Sequence, residues 1–149
     1  MKSSMSHSIL TNGFRDGLLK QLVYFDENKY NLLDKFASST DFEKNQIDRL
    51  VKHYQKRVEN ILAGFHEDLL QSRVLIGSKV LLQFENEDQT ETYHIVLPDE
   101  TNYDNCISFL SPLGKGLLFA QCKDTIAIHT PQGEQRVLVL KNEYVLNTS

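Results

Sequence analysis

Ala37-Ser38-Ser39-Thr40-Asp41-Phe42-Glu43 is the stretch on which the reading of this chain turns. Its first four residues are too few for anything but a reversal of direction. Upstream, apolar residues recur as Phe14, Leu18, Leu22, Phe25, Leu32 and Phe36. Downstream they recur as Ile47, Val51, Tyr54, Val58, Ile61 and Phe65, in steps of four and three. Such steps place each set on one face of a helix. The segment therefore predicts an antiparallel helical hairpin with its far end at Ser38–Glu43. Folding at Ser38-Ser39 sets Phe36 opposite Phe42 and Phe14 opposite Phe65.

The second helix has the clearer start. Thr40 to Glu43 fits a capping box, in which the Thr40 hydroxyl accepts from the Glu43 amide and the Glu43 carboxylate reaches back. That helix is expected to run about 30 residues, or roughly 45 Å. Near its end Leu62, Phe65, Leu69 and Leu70 widen the stripe, as a base packing on a second domain would. The first helix is expected from near Asn12. Gly13 and Gly17 weaken its first turns by up to about 1 kcal/mol each relative to Ala. Lys29 interrupts the stripe, and its long stem can lie along the seam with the ammonium in water.

After Leu70 the period changes. Short alternating runs mark strands at Lys79–Phe84, Thr92–Leu97, Cys106–Leu110, Thr125–Thr130 and Gln135–Lys141. Glu85-Asn86-Glu87-Asp88 is a polar turn, and Pro131-Gln132-Gly133 a tight one, so Ile126 and Ile128 should face Val137 and Val139 in a hairpin. Ser111-Pro112 has the form of a helix cap followed by Pro at the first helical position. No Pro- or Gly-rich linker separates the halves, so a fairly stiff joint is expected. The fold class is α+β: a two-helix coiled-coil hairpin over residues 1–72 and an antiparallel β domain over 73–149.

The 149 residues suit one domain, or one small domain with an appendage, and the 40% apolar content suits a soluble globular chain. No run reaches the roughly 18 apolar residues of a membrane span. Met1 to Ser8 lacks the apolar core of a secretory signal, so a cytoplasmic protein is expected. Cys106 and Cys122 are too few for a disulfide framework and read as reduced thiols. Residues 1–70 carry 10 Lys/Arg and 10 Asp/Glu, whereas residues 71–149 carry 6 and 10 and supply the whole net charge of −4. A net acidic β domain repels phosphates, which argues against direct contact with duplex nucleic acid and suits a basic protein surface.

Conventional catalytic signatures are missing: there is no Gly-rich phosphate loop, no His-Glu-x-x-His and no Cys-x-x-Cys. His7, His53, His66, His94 and His129 lack ligand spacing and read as structural or solvated. Cys106, in a strand-like run, reads as an inert thiol. Arg49, Lys52 and Lys56 share one face of the second helix, which is usually solvated; the other reading is a face passing near RNA. Asp41 and Glu43 near the tip allow two readings. They complement a helix N-terminus, or they hold a hard cation such as Mg²⁺ together with a partner's ligands and so orient a water for phosphodiester attack.

Ser111-Pro112-Leu113-Gly114-Lys115-Gly116-Leu117-Leu118 resembles the Ser-Pro-x-x-(Arg/Lys)-(Gly/Ala)-Leu-(Leu/Ile) segment of the Gre family of bacterial transcript-cleavage factors. Ile76-Gly77-Ser78-Lys79-Val80, Tyr93-His94-Ile95-Val96 and Thr130-Pro131-Gln132-Gly133-Glu134 agree with it in order, so the match covers residues 74–146. The hairpin matches in layout rather than in residues. The resemblance implies an FKBP-like domain, a label of fold and not of prolyl isomerase activity. It implies docking on RNA polymerase through Ser111, Pro112, Lys115 and Gly116, with the coiled coil in the secondary channel and within reach of the RNA 3′ end. It implies no cofactor of the chain's own; the Mg²⁺ concerned is that of the polymerase active site.

At the tip the chain departs from the family pattern, in which Asp and Glu stand three apart. Asp41 matches, Lys44 occupies the glutamate position, and Glu43 comes one place early. One step rotates a side chain by about 100°. Two versions stay open. Either Asp41, aided by Glu43, supports the polymerase-bound Mg²⁺ and cleavage of backtracked RNA by the polymerase, or the chain binds without stimulating cleavage, as the inhibitory and Rnk-like relatives do. In both the polymerase performs the chemistry, no membrane is involved and a monomer is expected. A different class of reading is an interaction module that dimerises through its hairpin, which exposure of Leu62 or Leu69 would favour.

Overall fold

The computed structural model describes residues 2–36, 40–64, 72–85, 87–101 and 103–145, with side chains in the first helix from Gly13 to Asp34. The chain forms two compact units, Met1–Glu67 and Asp68–Ser149. The reversal at Ala37-Ser38-Ser39, the base residues Phe65, Leu69 and Leu70, the Phe36 side chain, and Asn86 in the polar turn lie outside the described residues, as do His66 and the His7 side chain.

The first unit contains α1 (Lys2–Phe36) and α2 (Asp41–Ala63). α1 begins ten residues before the expected Asn12. No proline or glycine interrupts Lys2 to Asn12, and one or two glycines cost too little to stop a helix already under way. The helices run antiparallel, because partners in α2 descend as those in α1 ascend. Arg15 Nη1 donates to the Leu62 carbonyl at 3.2 Å, and the Tyr54 hydroxyl donates to Gln21 Oε1 at 2.6 Å. Lys29 Nζ lies 3.2 Å from Asp48 Oδ1, and Lys44 Nζ 4.0 Å from Asp34 Oδ1.

The seam buries Phe14, Leu18, Gln21, Phe25 and Leu32 against Ile47, Val51, Tyr54, Val58 and Leu62. Two stripe members differ from expectation. Leu22 is half-buried and Gln21 takes its place; Ile61 is half-buried and Leu62 takes its place. Gln21 is buried for a reason: the Tyr54 ring meets Phe25 edge-on at 5.8 Å, which carries the Tyr54 hydroxyl into the interior, where it needs an acceptor. Lys29 does lie along the seam, but its ammonium reaches Asp48 instead of ending in water alone.

The second unit is a five-stranded sheet with strands β1 (Ser78–Phe84), β2 (Thr90–Val96), β3 (Cys106–Ser108), β4 (Thr125–Thr130) and β5 (Gly133–Tyr144) in the order β3-β2-β1-β5-β4. A 3₁₀ turn, Pro98–Glu100, precedes β3, and a short helix α3 (Pro112–Leu117) follows it. Pairing is antiparallel except between β2 and β3, where His94 pairs Cys106 in parallel. β5 is longer than the expected Gln135–Lys141 and bonds to both β1 and β4. Its register against β1 shifts at Leu81/Leu82, leaving Leu140 unmatched. In the β4–β5 hairpin Ile126 faces Val137, while Ile128 faces Gln135. Val80, Leu82, Ile95, Phe109, Leu117, Val137 and Val139 form the centre of the core.

Asp48 gives the hairpin an acid-sensitive link. The hydrogen bond from Lys52 at 2.9 Å, with Lys29 on its other side, holds the carboxyl below its ordinary 3.8 against the opposing effect of burial. A carboxylate lowered in the folded state stabilises fully above its ordinary pKa, and that contribution fades as pH falls through the lowered value. Asp48→Asn is therefore expected to reduce stability at pH 7 and to remove part of the loss seen below pH 3.8, as read from urea midpoints across pH. Tyr54→Phe removes the buried bond to Gln21 and is expected to cost about 1 kcal/mol by the same measurement.

Candidate functional site

Two places carry the residues singled out by sequence. The first is the start of α2. Thr40 is extended (φ −83, ψ 140) and its hydroxyl accepts from the Glu43 amide at 3.4 Å, the first half of the expected capping box. Asp41, Phe42 and Glu43 are all exposed, Phe42 at 70%. At about 100° per residue, Asp41 and Glu43 leave the helix some 200° apart and aim at opposite sides. Residue 44 comes about 60° from residue 41 and shares its side of the helix. The side chain there is Lys44, reaching toward Asp34 on α1.

This geometry tests the metal reading. Mg²⁺ accepts carboxylate oxygens in near-octahedral geometry. Asp41 can offer one oxygen to a partner's ion, but Glu43 does not converge with it and a cation occupies the adjacent position. Among the described residues no group of three or more His, Cys, Asp or Glu is arranged to hold a metal. Farther along α2, Arg49, Lys52 and Lys56 are exposed, and Lys52 is engaged by Asp48 at 2.9 Å.

The second place is the link from β3 into α3. Ser111 is the N-cap, extended at φ −66 and ψ 157. Its hydroxyl donates to the Ser108 carbonyl at 2.7 Å and accepts from the Gly114 amide at 3.0 Å. Pro112 occupies the first turn, where its missing N–H is no loss. The Lys115 amide donates to the Ser111 carbonyl at 2.8 Å and closes the first turn. After α3, Phe119 adopts φ 67, and its amide donates to the Val74 carbonyl at 2.7 Å, while the Val74 amide donates to Ala120 at 2.9 Å.

The four residues expected to face a partner divide into two kinds. Pro112 and Lys115 are exposed. Ser111 is half-buried and both its hydrogen-bonding roles are met within the chain. Gly116 packs on β4, where an added Cβ would lie 2.4 Å from Ile128 Cδ1. Sequence reading overlooked Gly114. A Cβ there would come 2.2 Å from the Ser108 carbonyl oxygen and 3.0 Å from Phe109 Cα, both rigid backbone atoms. The signal was its position at the third residue after the capping serine, where its amide meets the Ser111 hydroxyl.

Tyr93, His94 and Tyr144 titrate away from their ordinary values because of burial. The Tyr93 hydroxyl donates to Glu91, and burial with that carboxylate pushes it up to about 12. Burial lowers His94, which sits half-buried on β2. Burial also pushes Tyr144 up to about 12; its ring lies against Gly77, whose φ is +106. A pocket of about 310 Å³ lies between β1, β5 and β4, lined by Gln83, Phe84, Thr125 and Arg136 among others; none of the predicted site residues touches it.

The family described as Transcription elongation factor, GreA/GreB, C-term, matches residues 69–144. A transcription elongation factor GreA from Baumannia cicadellinicola is 39% identical over 74 residues, which is 49% of this chain and 47% of that relative, about half its length. A GreB from Pseudomonas syringae is 28% identical over 147 residues, covering 88% of this chain and 93% of the relative. The solved prokaryotic transcription elongation factor GreA/GreB from Nitrosomonas europaea is 25% identical with a TM-score of 0.46, covering 72% of this chain and 98% of that one.

The two glycines of α3 should respond differently to a methyl group. Gly114→Ala meets backbone and is expected to cost about 1–3 kcal/mol, the usual range for overpacking. Gly116→Ala meets the end of a flexible isoleucine and should cost less. Thermal denaturation of both variants checks the order.

Proposed function

Because the chain belongs to the GreA/GreB family of transcription elongation factors, we propose that it binds bacterial RNA polymerase and regulates elongation from the secondary channel. The β unit docks through the Ser111-capped helix, with Pro112 and Lys115 as the presented residues. The two-helix unit occupies the channel, with the start of α2 toward the active site and within reach of the RNA 3′ end. The polymerase supplies the catalytic residues and the Mg²⁺, so the chain acts as a cytoplasmic modulator and not as an enzyme in its own right. No helix among the described residues is long and apolar enough to cross a membrane.

Of the two versions, the geometry favours binding without stimulated cleavage. One observation carries this: Asp41 shares its side of α2 with Lys44, while Glu43 points away. A lone carboxylate beside a lysine is a weak hold on a metal ion compared with two carboxylates on one face.

Stalled, backtracked polymerase complexes provide the test. The unaltered chain is expected to bind and leave transcripts full length. Lys44→Glu places a second carboxylate three residues after Asp41 and is expected to gain shortening, which Asp41→Ala in the same chain then removes. Shortening by the unaltered chain that Asp41→Ala abolishes would select the cleaving version. Absence of binding removes both. Lys115→Ala is expected to weaken binding about twofold to fivefold, the size of an exposed ion pair, without altering the fold.

A further inference from the structure

The sheet has two outer strands, and they differ. β3 is only three residues long. β4, at the opposite edge, has six residues, Thr125-Ile126-Ala127-Ile128-His129-Thr130, and nothing in them blunts an edge. Natural edges are protected by lysine, proline, bulges, inward charges or a covering helix or loop; β4 contains none of the first four, and α3 packs on its inner face at Ile126 and Ile128.

Hydrogen bonds nearby reveal which backbone groups are turned outward. Val139 accepts from the Lys123 amide at 2.6 Å and donates to the Asp124 carbonyl at 2.9 Å, so its polar groups point toward the β4 side. Arg136 accepts from the Glu85 amide at 2.8 Å, so its carbonyl points the other way, toward β1. Alternation along β5 then turns Val137, Gln135 and Gly133 toward their β4 partners Ile126, Ile128 and Thr130. Thr125, Ala127 and His129 are left with amides and carbonyls directed at the open edge. Among the described residues they bond to no other segment there. Their side chains are exposed on the outer face, while Ile128 is buried beneath Gly116 of α3.

We propose that this edge pairs antiparallel with the same edge of a second copy, about a two-fold axis at Ala127. The strand is nearly its own complement. Paired about Ala127, it sets Ala127 against itself, Thr125 against His129 and Ile126 against Ile128. Ala127 and the two Thr125–His129 pairs exchange both of their backbone bonds. Cross-strand β-branched pairs are favourable, and the self-complementary contact is what a two-fold interface requires. The chain carries a net charge of −4, which opposes self-association, yet β4 has no Asp, Glu, Lys or Arg. A foreign strand would satisfy the same backbone groups, but the near-palindrome selects the chain's own copy. Sequence reading expected a monomer and weighed only the hairpin as a dimer surface; this contact uses neither hairpin nor polymerase. A single strand pair is a small interface, so the dimer is concentration-dependent.

Sedimentation equilibrium of the full chain over rising concentration tests this. The mass is expected to climb from 17.2 kDa toward twice that value. Ala127→Lys, at an exposed position, is expected to remain monomeric at every concentration with an unchanged thermal midpoint. A second readout uses Ala127→Cys in a chain lacking Cys106 and Cys122. The Cα separation in such a pair is about 5.5 Å, within disulfide range, so mild oxidation is expected to give a crosslinked dimer, while Lys141→Cys in the same background is not. A wild type monomeric up to its solubility limit, a dimer that survives Ala127→Lys, or equal crosslinking through residue 141 overturns the proposal.

Discussion

The register of the two-helix seam is the constraint from which the rest of the first unit follows. Apolar stripes alone tolerate sliding, because one turn of leucines, valines and phenylalanines packs much like the next. Polar partners do not. The Tyr54 hydroxyl must meet Gln21 inside the seam, and Asp48 must fall between Lys29 and Lys52. A buried polar pair of this kind sets register at some cost in stability. With the register set and Thr40 capping α2, the direction of each side chain in the first turn is determined. The separation of Asp41 from Glu43 is thus a consequence of helix phase.

A comparable constraint acts in the second unit through one hydroxyl. Ser111 donates backward to Ser108 and accepts forward from Gly114, so a single side chain ties the end of β3 to the first turn of α3. The bond leaves no room for a side chain at Gly114. It also divides the Ser-Pro segment into residues that build the short helix and residues that it exposes. Ser111 and Gly116 build and seat the short helix; Pro112 and Lys115 are what it presents.

Much of the fold was legible because its causes are local. The caps at Thr40 and Ser111, the Pro131-Gln132-Gly133 turn, the two helical periods and the positions of β1 and β4 depend on residues within a few places of one another. Apart from the early start of α1, the departures from expectation trace to long-range partners. Gln21 displaced Leu22 in the seam because Tyr54, 33 residues away, brings a hydroxyl to that point. β5 extended beyond its apolar run because β1 and β4 bond to it on either side. β3 paired in parallel with β2, a relation that no alternation of residues along three positions can announce.

The sequence by itself determined the element types, the two capped helix starts at Thr40 and Ser111, the charge imbalance between the halves and the family, since each is written in neighbouring residues or in a motif. Tertiary structure alone decided which residues are spent on the fold and which remain outward. Ser111 and Gly116 turn inward, Pro112 and Lys115 outward, and the amides of Thr125, Ala127 and His129 end at an open edge. The physical reason is that burial and hydrogen-bond satisfaction are properties of pairs, and the second member of each pair is supplied by a segment distant in the chain.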